Sequence, residues 1–314
     1  MKKFIRNLVI FLLIMVIASG GIIGFHYFIV GGQYEYNYMA SVADKLDRLK
    51  SINEPKIILV GNSNLAFGIN SQTIEQELGM PVVNLGIHGG LGNAFYERLA
   101  KENINEGDIV VVCHEDYWDT GEIPDPSLAW IAYDYNSEIL PLITEDNFFN
   151  ILLAYPKYIK SSLFLWASGR GNVDGGGSYS RTAFNEYGDV VCKPESGQMD
   201  VELYFSRKPV VVPEISEICS DRLNQLNEYV TEKGASLVVA GYPIAYGEYA
   251  EFTQDDFRDF QAKLDKALDC EIISDYTNYF YPYDYFYDTE LHLTEQGAQI
   301  RTQQLISDLK NWKN

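Results

Sequence analysis

Residues Lys56–Asn64 read KIILVGNSN. Ile57–Val60 form a short, wholly apolar run, as in a strand buried on both faces of a parallel sheet. It passes straight into Gly61, Asn62, Ser63 and Asn64, so a serine stands at the carboxyl end of a first strand, with a helix expected only several residues later. Similar runs recur at Val82–Leu85, Ile109–Cys113, Leu237–Ala240 and Glu271–Ile273. Amphipathic stretches separate them, and that alternation predicts an α/β fold with helices on both faces of the sheet.

The helices have legible ends. Asn70 or Ser71 can cap one that carries Ile74 and Leu78 and stops at Gly79. Glu214–Lys233 places Ile215, Ile218, Leu226 and Tyr229 near one face. Thr253 can cap a helix with Phe257, Phe260 and Leu264 in line, and the last helix follows Thr294 with Ala298, Leu305, Leu309 and Trp312 facing inward. Residues 117–213 break the rhythm with a helix after Thr144, the apolar SLFLWA and the glycine-rich GRGNVDGGGSYSR, and read as an insertion, either a lid or a surface elaboration.

The chain has 314 residues, 46% of them hydrophobic, enough for a sizeable core. Its 24 Lys and Arg face 44 Asp and Glu, a net charge of −20 that repels phosphate backbones and argues against nucleic-acid binding. Leu8–Val30 carries no charge and is long enough for one membrane crossing. Lys2, Lys3 and Arg6 precede it, which predicts a cytoplasmic N-terminus and an extracytoplasmic domain. A cleaved signal peptide ending near Ala18–Gly20 is the rival reading. The organisation is therefore an anchor at 1–30, a stalk at 31–50 and a domain at 51–314. Outside the anchor the chain is more acidic still, and is not expected to adhere unaided to anionic headgroups. Cys113, Cys192, Cys219 and Cys270 lie far apart without a CxxC pair, predicting mostly free, buried thiols with room for one bridge.

A serine needs a base, because its hydroxyl is a weak nucleophile at neutral pH. The imidazoles are His26, His88, His114 and His292, and His26 lies within the apolar anchor. His292 belongs to YDTELHLTEQGA, where Asp288 stands four residues earlier and a helix starts immediately after. That arrangement suits a base oriented by an acid.

Together VGNSNLAFGI, VVNLGIHGG and YDTELHLTEQGA resemble the SGNH/GDSL hydrolases. They resemble more closely the membrane-anchored bacterial SGNH-like proteins linked to O-acylation or deacylation of cell-surface polysaccharides. The resemblance spans most of the exterior domain except the insertion. It implies a flavodoxin-like three-layer α/β/α sandwich with a five-stranded, mostly parallel sheet. It also implies Ser63 as nucleophile, His292 as general base, Asp288 as its orienting acid, and the N–H groups of Ser63 and Gly89 as an oxyanion hole, with Gly86 or Gly90 as alternatives to Gly89. No cofactor or metal is implied.

Two departures accompany it. The family's third block is usually Gly-x-Asn-Asp, but here Cys113, His114, Glu115 and Asp116 stand there. An ionised Glu115 cannot donate to an oxyanion. Either it is protonated, or it serves another role, or Asn64 or Asn93 completes the hole. The acid-to-histidine spacing is four instead of the family's usual three, leaving Glu290 as a rival to Asp288.

Asn64, His88 and Glu115 are candidate substrate contacts, with His88 and His114 expected at the sheet edge as polar rim residues, each an alternative to His292 as base or a substrate contact. The strip TNYFYPYDYFYD is either a carbohydrate platform or packing against the insertion. Asp255 and Asp256 look like a solvated helix start. The expected activity is ester hydrolysis or O-acyl transfer on an acylated cell-surface or exported polysaccharide. A transferase would need an integral-membrane acyltransferase partner to supply acyl groups. The alternative is a catalytically silent glycan-binding or scaffold protein.

Overall fold

The computed structural model describes residues 1–145, 147–193, 197 and 199–313. Helix α1 (Lys2–Phe25) runs into a π-helical turn at His26–Val30, together long and apolar enough to cross a membrane. Helix α2 (Ser41–Ser51) leads to β1 (Ile57–Val60), α3 (Ser63–Gly68), α4 (Ser71–Leu78) and β2 (Val82–Asn84). Helix α5 (Asn93–Ala100) and β3 (Ile109–Val112) follow. Next come α6 (Pro126–Tyr135), α7 (Leu140–Thr144), α8 (Phe148–Ser168), which contains SLFLWA, and α9 (Val201–Phe205). The chain returns through α10 (Glu217–Glu232), β4 (Ser236–Val239), β5 (Ile244–Ala245), α11 (Gln254–Ala267), β6 (Glu271–Ile272), β7 (Phe280–Tyr281) and α12 (Glu295–Lys313).

Five strands pair in the order β2-β1-β3-β4-β6, every pair parallel. Ile57 lies opposite both Val82 and Ile109, and Ile109 opposite Ser236. Alternation along β1 and β3 divides the core. Ile58, Val60, Val110 and Val112 pack with Leu46, Phe95, Leu226 and Phe257 on one face. Ile57, Leu59, Ile109 and Val111 pack with Ile74, Leu305 and Leu309 on the other. Helices thus cover both faces, and the carboxyl ends of the strands share one edge.

Asn70 caps α4 through the N–H of Thr73, and Gly79 ends it at φ +65°, a left-handed conformation that costs glycine little. Thr253 and Asp256 form a capping box on α11, whose Phe257, Phe260 and Leu264 are buried. In α10 the expected face is displaced: Ile218 is 58% exposed, and Cys219, Leu223, Leu226 and Val230 form the buried stripe. Ser216 caps the helix and leaves Ile215 outside it, bridged to Tyr117. All four cysteines are free, with Cys113, Cys219 and Cys270 buried and Cys192 exposed.

Candidate functional site

Beyond the end of β1 the backbone is tightly enclosed. A Cβ on Gly61 would lie 2.9 Å from Leu65 Cδ1 and 3.0 Å from the Cys113 carbonyl oxygen. Asn62 then caps α3 by accepting from the N–H of Asn64 at 3.0 Å. The helix therefore begins at Ser63 itself, not several residues later, because the Asn62 side chain satisfies a first-turn donor at once. Ser63 is 8% exposed, and as the first helical residue its N–H has no partner within the helix.

Three glycines follow β2, and their amides differ. The N–H of Gly86 donates to Asn84 Oδ1 at 2.9 Å, and that of Gly90 donates to His88 Nδ1 at 2.9 Å. A Cβ on Gly86 would fall 2.4 Å from the Asn62 carbonyl oxygen, so that glycine is needed for close packing. Gly89 is exposed, and a Cβ there would stand 3.5 Å from Asn62 Nδ2, beside the start of α3. Among the described residues the Gly89 N–H, unlike the other two, has no hydrogen-bond partner.

Asn64 is clasped from both ends. Arg301 of α12, fully buried, donates to the Asn64 carbonyl at 2.6 Å and to its Oδ1 at 3.0 Å. Asn64 Nδ2 donates to the Cys113 carbonyl at 3.0 Å and to Glu115 Oε2 at 2.9 Å, while Asn62 Nδ2 donates to Glu115 Oε1. Burial pushes the Glu115 carboxyl up, against the pull of the Asn62 and Asn64 amides. Asn64 and Glu115, the expected substrate contacts, bond to each other and fasten β3 to α3. Arg301 was missed by sequence reasoning. Its signal was a cation at helical spacing between Ala298 and Leu305, both buried.

His292 lies just before α12, 8% exposed, with Nδ1 2.8 Å from Asp288 Oδ1. Glu290, the rival acid, turns instead to Tyr204 and Lys208. The imidazole stacks on Phe67, centroids 4.2 Å apart and 13° from parallel. Phe67 follows Ser63 by four residues, so both project from one face of α3. No hydrogen bond joins Ser63 to His292 among the described residues; the hydrogen-bond partners of the His292 ring there are Asp288 and Tyr179. Tyr179, from the glycine-rich part of the insertion, donates to Asp288 Oδ2 and lies 3.1 Å from His292 Nδ1. Burial acts to raise the Asp288 carboxyl, but hydrogen bonds from His292 and Tyr179 outweigh it and hold it below its usual range.

The other histidines part company. His88 is half-buried, caps the turn at Gly89–Leu91, and its imidazole is held low by burial and by the nearby His292. His114 is no rim residue: it is fully buried, with Nε2 3.0 Å from Glu97 Oε1. Arg222 joins Glu97 to Asp119 in the same network. Asn93 spends its amide on the Asp116 carbonyl at 2.8 Å. The tyrosine strip packs: Tyr279, Tyr281 and Phe286 are buried, and Tyr283 lies 4.5 Å from Phe205 of the insertion.

A cleft of about 690 Å³ opens beside the cluster, lined by Glu115 and Trp118 after β3, Tyr242 and Pro243 after β4, and Glu290 and Leu291 next to His292. Ligands of open α/β sheets bind beyond the carboxyl ends of the strands, where this cleft lies. Among the described residues no group of three or more His, Cys, Asp or Glu side chains could hold a metal ion. No family model and no curated protein matches the sequence.

Proposed function

We propose that the protein is an SGNH-type serine ester enzyme, a hydrolase or O-acyltransferase, acting on an acylated cell-surface or exported polysaccharide. The observation that carries this reading is the placement of His292. Asp288 engages its Nδ1, which leaves Nε2 as the basic nitrogen, and Phe67 holds the ring against the helix whose first residue is Ser63. The strand order β2-β1-β3-β4-β6 is that of flavodoxin-like doubly wound sheets and supports the fold the resemblance implies.

In this mechanism Ser63 Oγ attacks the ester carbonyl carbon as its proton passes to His292 Nε2. The carbonyl electron pair moves to oxygen, and the N–H groups of Ser63 and Gly89 receive that charge. Collapse expels the sugar hydroxyl, protonated by His292, and leaves an acyl-serine. Water or a second hydroxyl, deprotonated by His292, then takes the acyl group. Asp288 stays ionised and stabilises the imidazolium in both halves. The apolar N-terminal helix anchors the enzyme in the cell membrane, N-terminus inside and domain outside. In a transferase an integral-membrane acyltransferase would supply the acyl group.

The alternative, a silent glycan-binding or scaffold protein, draws on the missing Ser63–His292 hydrogen bond and on Trp118 and Tyr242 in the cleft. Turnover of a panel of p-nitrophenyl acyl esters by the full chain decides between them. The enzyme reading expects release that Ser63→Ala abolishes. No release from the folded wild type supports the scaffold, and release unchanged in Ser63→Ala overturns the Ser63 mechanism.

A further inference from the structure

Helix α8 has two faces. Ile151, Tyr158 and Ser162 are buried, and Trp130 of α6 fastens the helix by donating from Nε1 to the Ile151 carbonyl at 2.7 Å. The opposite face is open and apolar: Phe149 is 76% exposed, Leu153 78% and Phe164 61%. At 100° per residue these three fall on one side, with Lys157 and Lys160 among them. In a chain of net charge −20, residues 147–170 contain no Asp or Glu and carry Lys157, Lys160 and Arg170.

The same helix meets the end of the apolar N-terminal rod. Trp166 lies edge-on to Phe25 at 5.8 Å, while Tyr155 and Tyr158 lie against the next residue, His26, at 6.4 and 4.9 Å. Tyr155 and Trp166 are about 16 Å apart along α8 at 1.5 Å per residue, yet both reach one turn of the rod. Helix α8 therefore crosses the end of α1 instead of running beside it. The chain beyond α8 is tied back to the rod's exit by the bond from the Asn172 N–H to the Gln33 carbonyl, at 3.0 Å.

We infer that α8 lies in the outer surface of the bilayer, its Phe149–Leu153–Phe164 face among the acyl chains and its lysines at anionic lipid headgroups. This rests on the reading that α1 spans that bilayer. A rod along the membrane normal, crossed at its end by α8, puts the crossing helix close to the membrane plane. Residues that would be a liability in water become an interfacial helix of the kind whose apolar face is buried and whose lysines reach up to the phosphates. The candidate site is then held at a fixed height above the lipid by two contacts, not by a free tether.

Spin labels at single introduced cysteines in the full chain, with exposed Cys192 replaced (Cys192→Ser) and the other three native thiols buried, in vesicles of phosphatidylcholine and phosphatidylglycerol, test this through accessibility to oxygen and to a water-soluble nickel chelate. The positions are Phe149→Cys, Leu153→Cys, Leu12→Cys in α1 and Gln225→Cys in α10. The expected result is oxygen-rich, nickel-poor labels at 149 and 153, about 5–10 Å below the phosphates, a deep label at 12 and an aqueous label at 225. A deep label at 12 with aqueous labels at 149 and 153 overturns the inference and leaves the anchor standing. An aqueous label at 12 overturns the anchor reading itself. Labels at 149 and 153 shielded from both reagents and broadened by a neighbouring spin would mean a second copy on this face, which also overturns the inference.

Discussion

His292 lies flat on Phe67, 4.2 Å between ring centroids and 13° from parallel, so the imidazole is aligned by the helix that begins at Ser63. Fully buried Phe67 also touches the rings of Tyr38, Tyr179 and Tyr287, which leaves it little freedom to shift. Phe67→Leu keeps apolar bulk but removes the flat face. A stacked ring pair is worth about 0.5–1.5 kcal/mol, so ester turnover should fall roughly two- to thirteenfold, with stability lower by about 1–3 kcal/mol. Turnover kinetics and urea denaturation on the same preparation check both numbers.

Tyr179 reaches the site from the insertion. Its hydroxyl donates to Asp288 and helps hold that carboxyl ionised. In Tyr179→Phe the donor is gone, the Asp288 carboxyl rises, and the acid limb of the pH–rate profile should move to higher pH. A hydrogen bond to a charged group is worth about 1.5–3 kcal/mol, so kcat/KM near neutrality should drop by roughly one to two orders of magnitude. The shift of the acid limb separates this role from a merely structural one.

How much of this was legible in the sequence depends on the range of the interaction. Strands β1 and β3, the Asn70 and Thr253 caps and the stop at Gly79 follow from neighbouring residues, and the structure has them within a residue of expectation. Asp288 and His292 are four residues apart, and they meet. The roles of Tyr179 and Arg301 could not be read from neighbouring residues because they act across more than 100 residues, on Asp288 and Asn64; the sequence shows Arg301 only as a cation on the inward face of the last helix. Glu115 was visible, but its partners were not. Its position after β3 suggested a substrate contact, and only the folded chain reveals the two amides that claim it.

Glu115→Gln tests that claim. The wild-type carboxylate accepts from two amide groups, whereas a glutamine must turn its own NH2 toward one of them. One buried donor is left unmatched, at about 1–3 kcal/mol. The expected outcome is a protein that melts lower and, because Asn62 and Asn64 set the start of α3, turns over esters more slowly. Differential scanning calorimetry and the ester assay read the two effects.

Acid stability should report the Glu97 network. Burial opposes ionisation of Glu97, yet His114 and Arg222 outweigh it and hold its carboxyl down at about 2. An unfolded glutamate titrates near 4.3. A depressed folded-state value means the stabilisation is complete above the unfolded value and is lost as pH falls from there toward 2. The loss amounts to roughly 3 kcal/mol across that window. Urea midpoints between pH 6 and 2 should fall in the wild type and flatten in Glu97→Gln, which starts from lower stability at neutral pH.

The central claim is that Ser63 is a nucleophile activated by His292. Intact-mass spectrometry of the full chain after exposure to a fluorophosphonate, with peptide mapping of the adduct, tests it most directly. The account predicts one adduct on Ser63 in the wild type, none in Ser63→Ala, and slowing by several orders of magnitude in His292→Ala. A folded wild type that takes up no label, or a label on another serine, would contradict it.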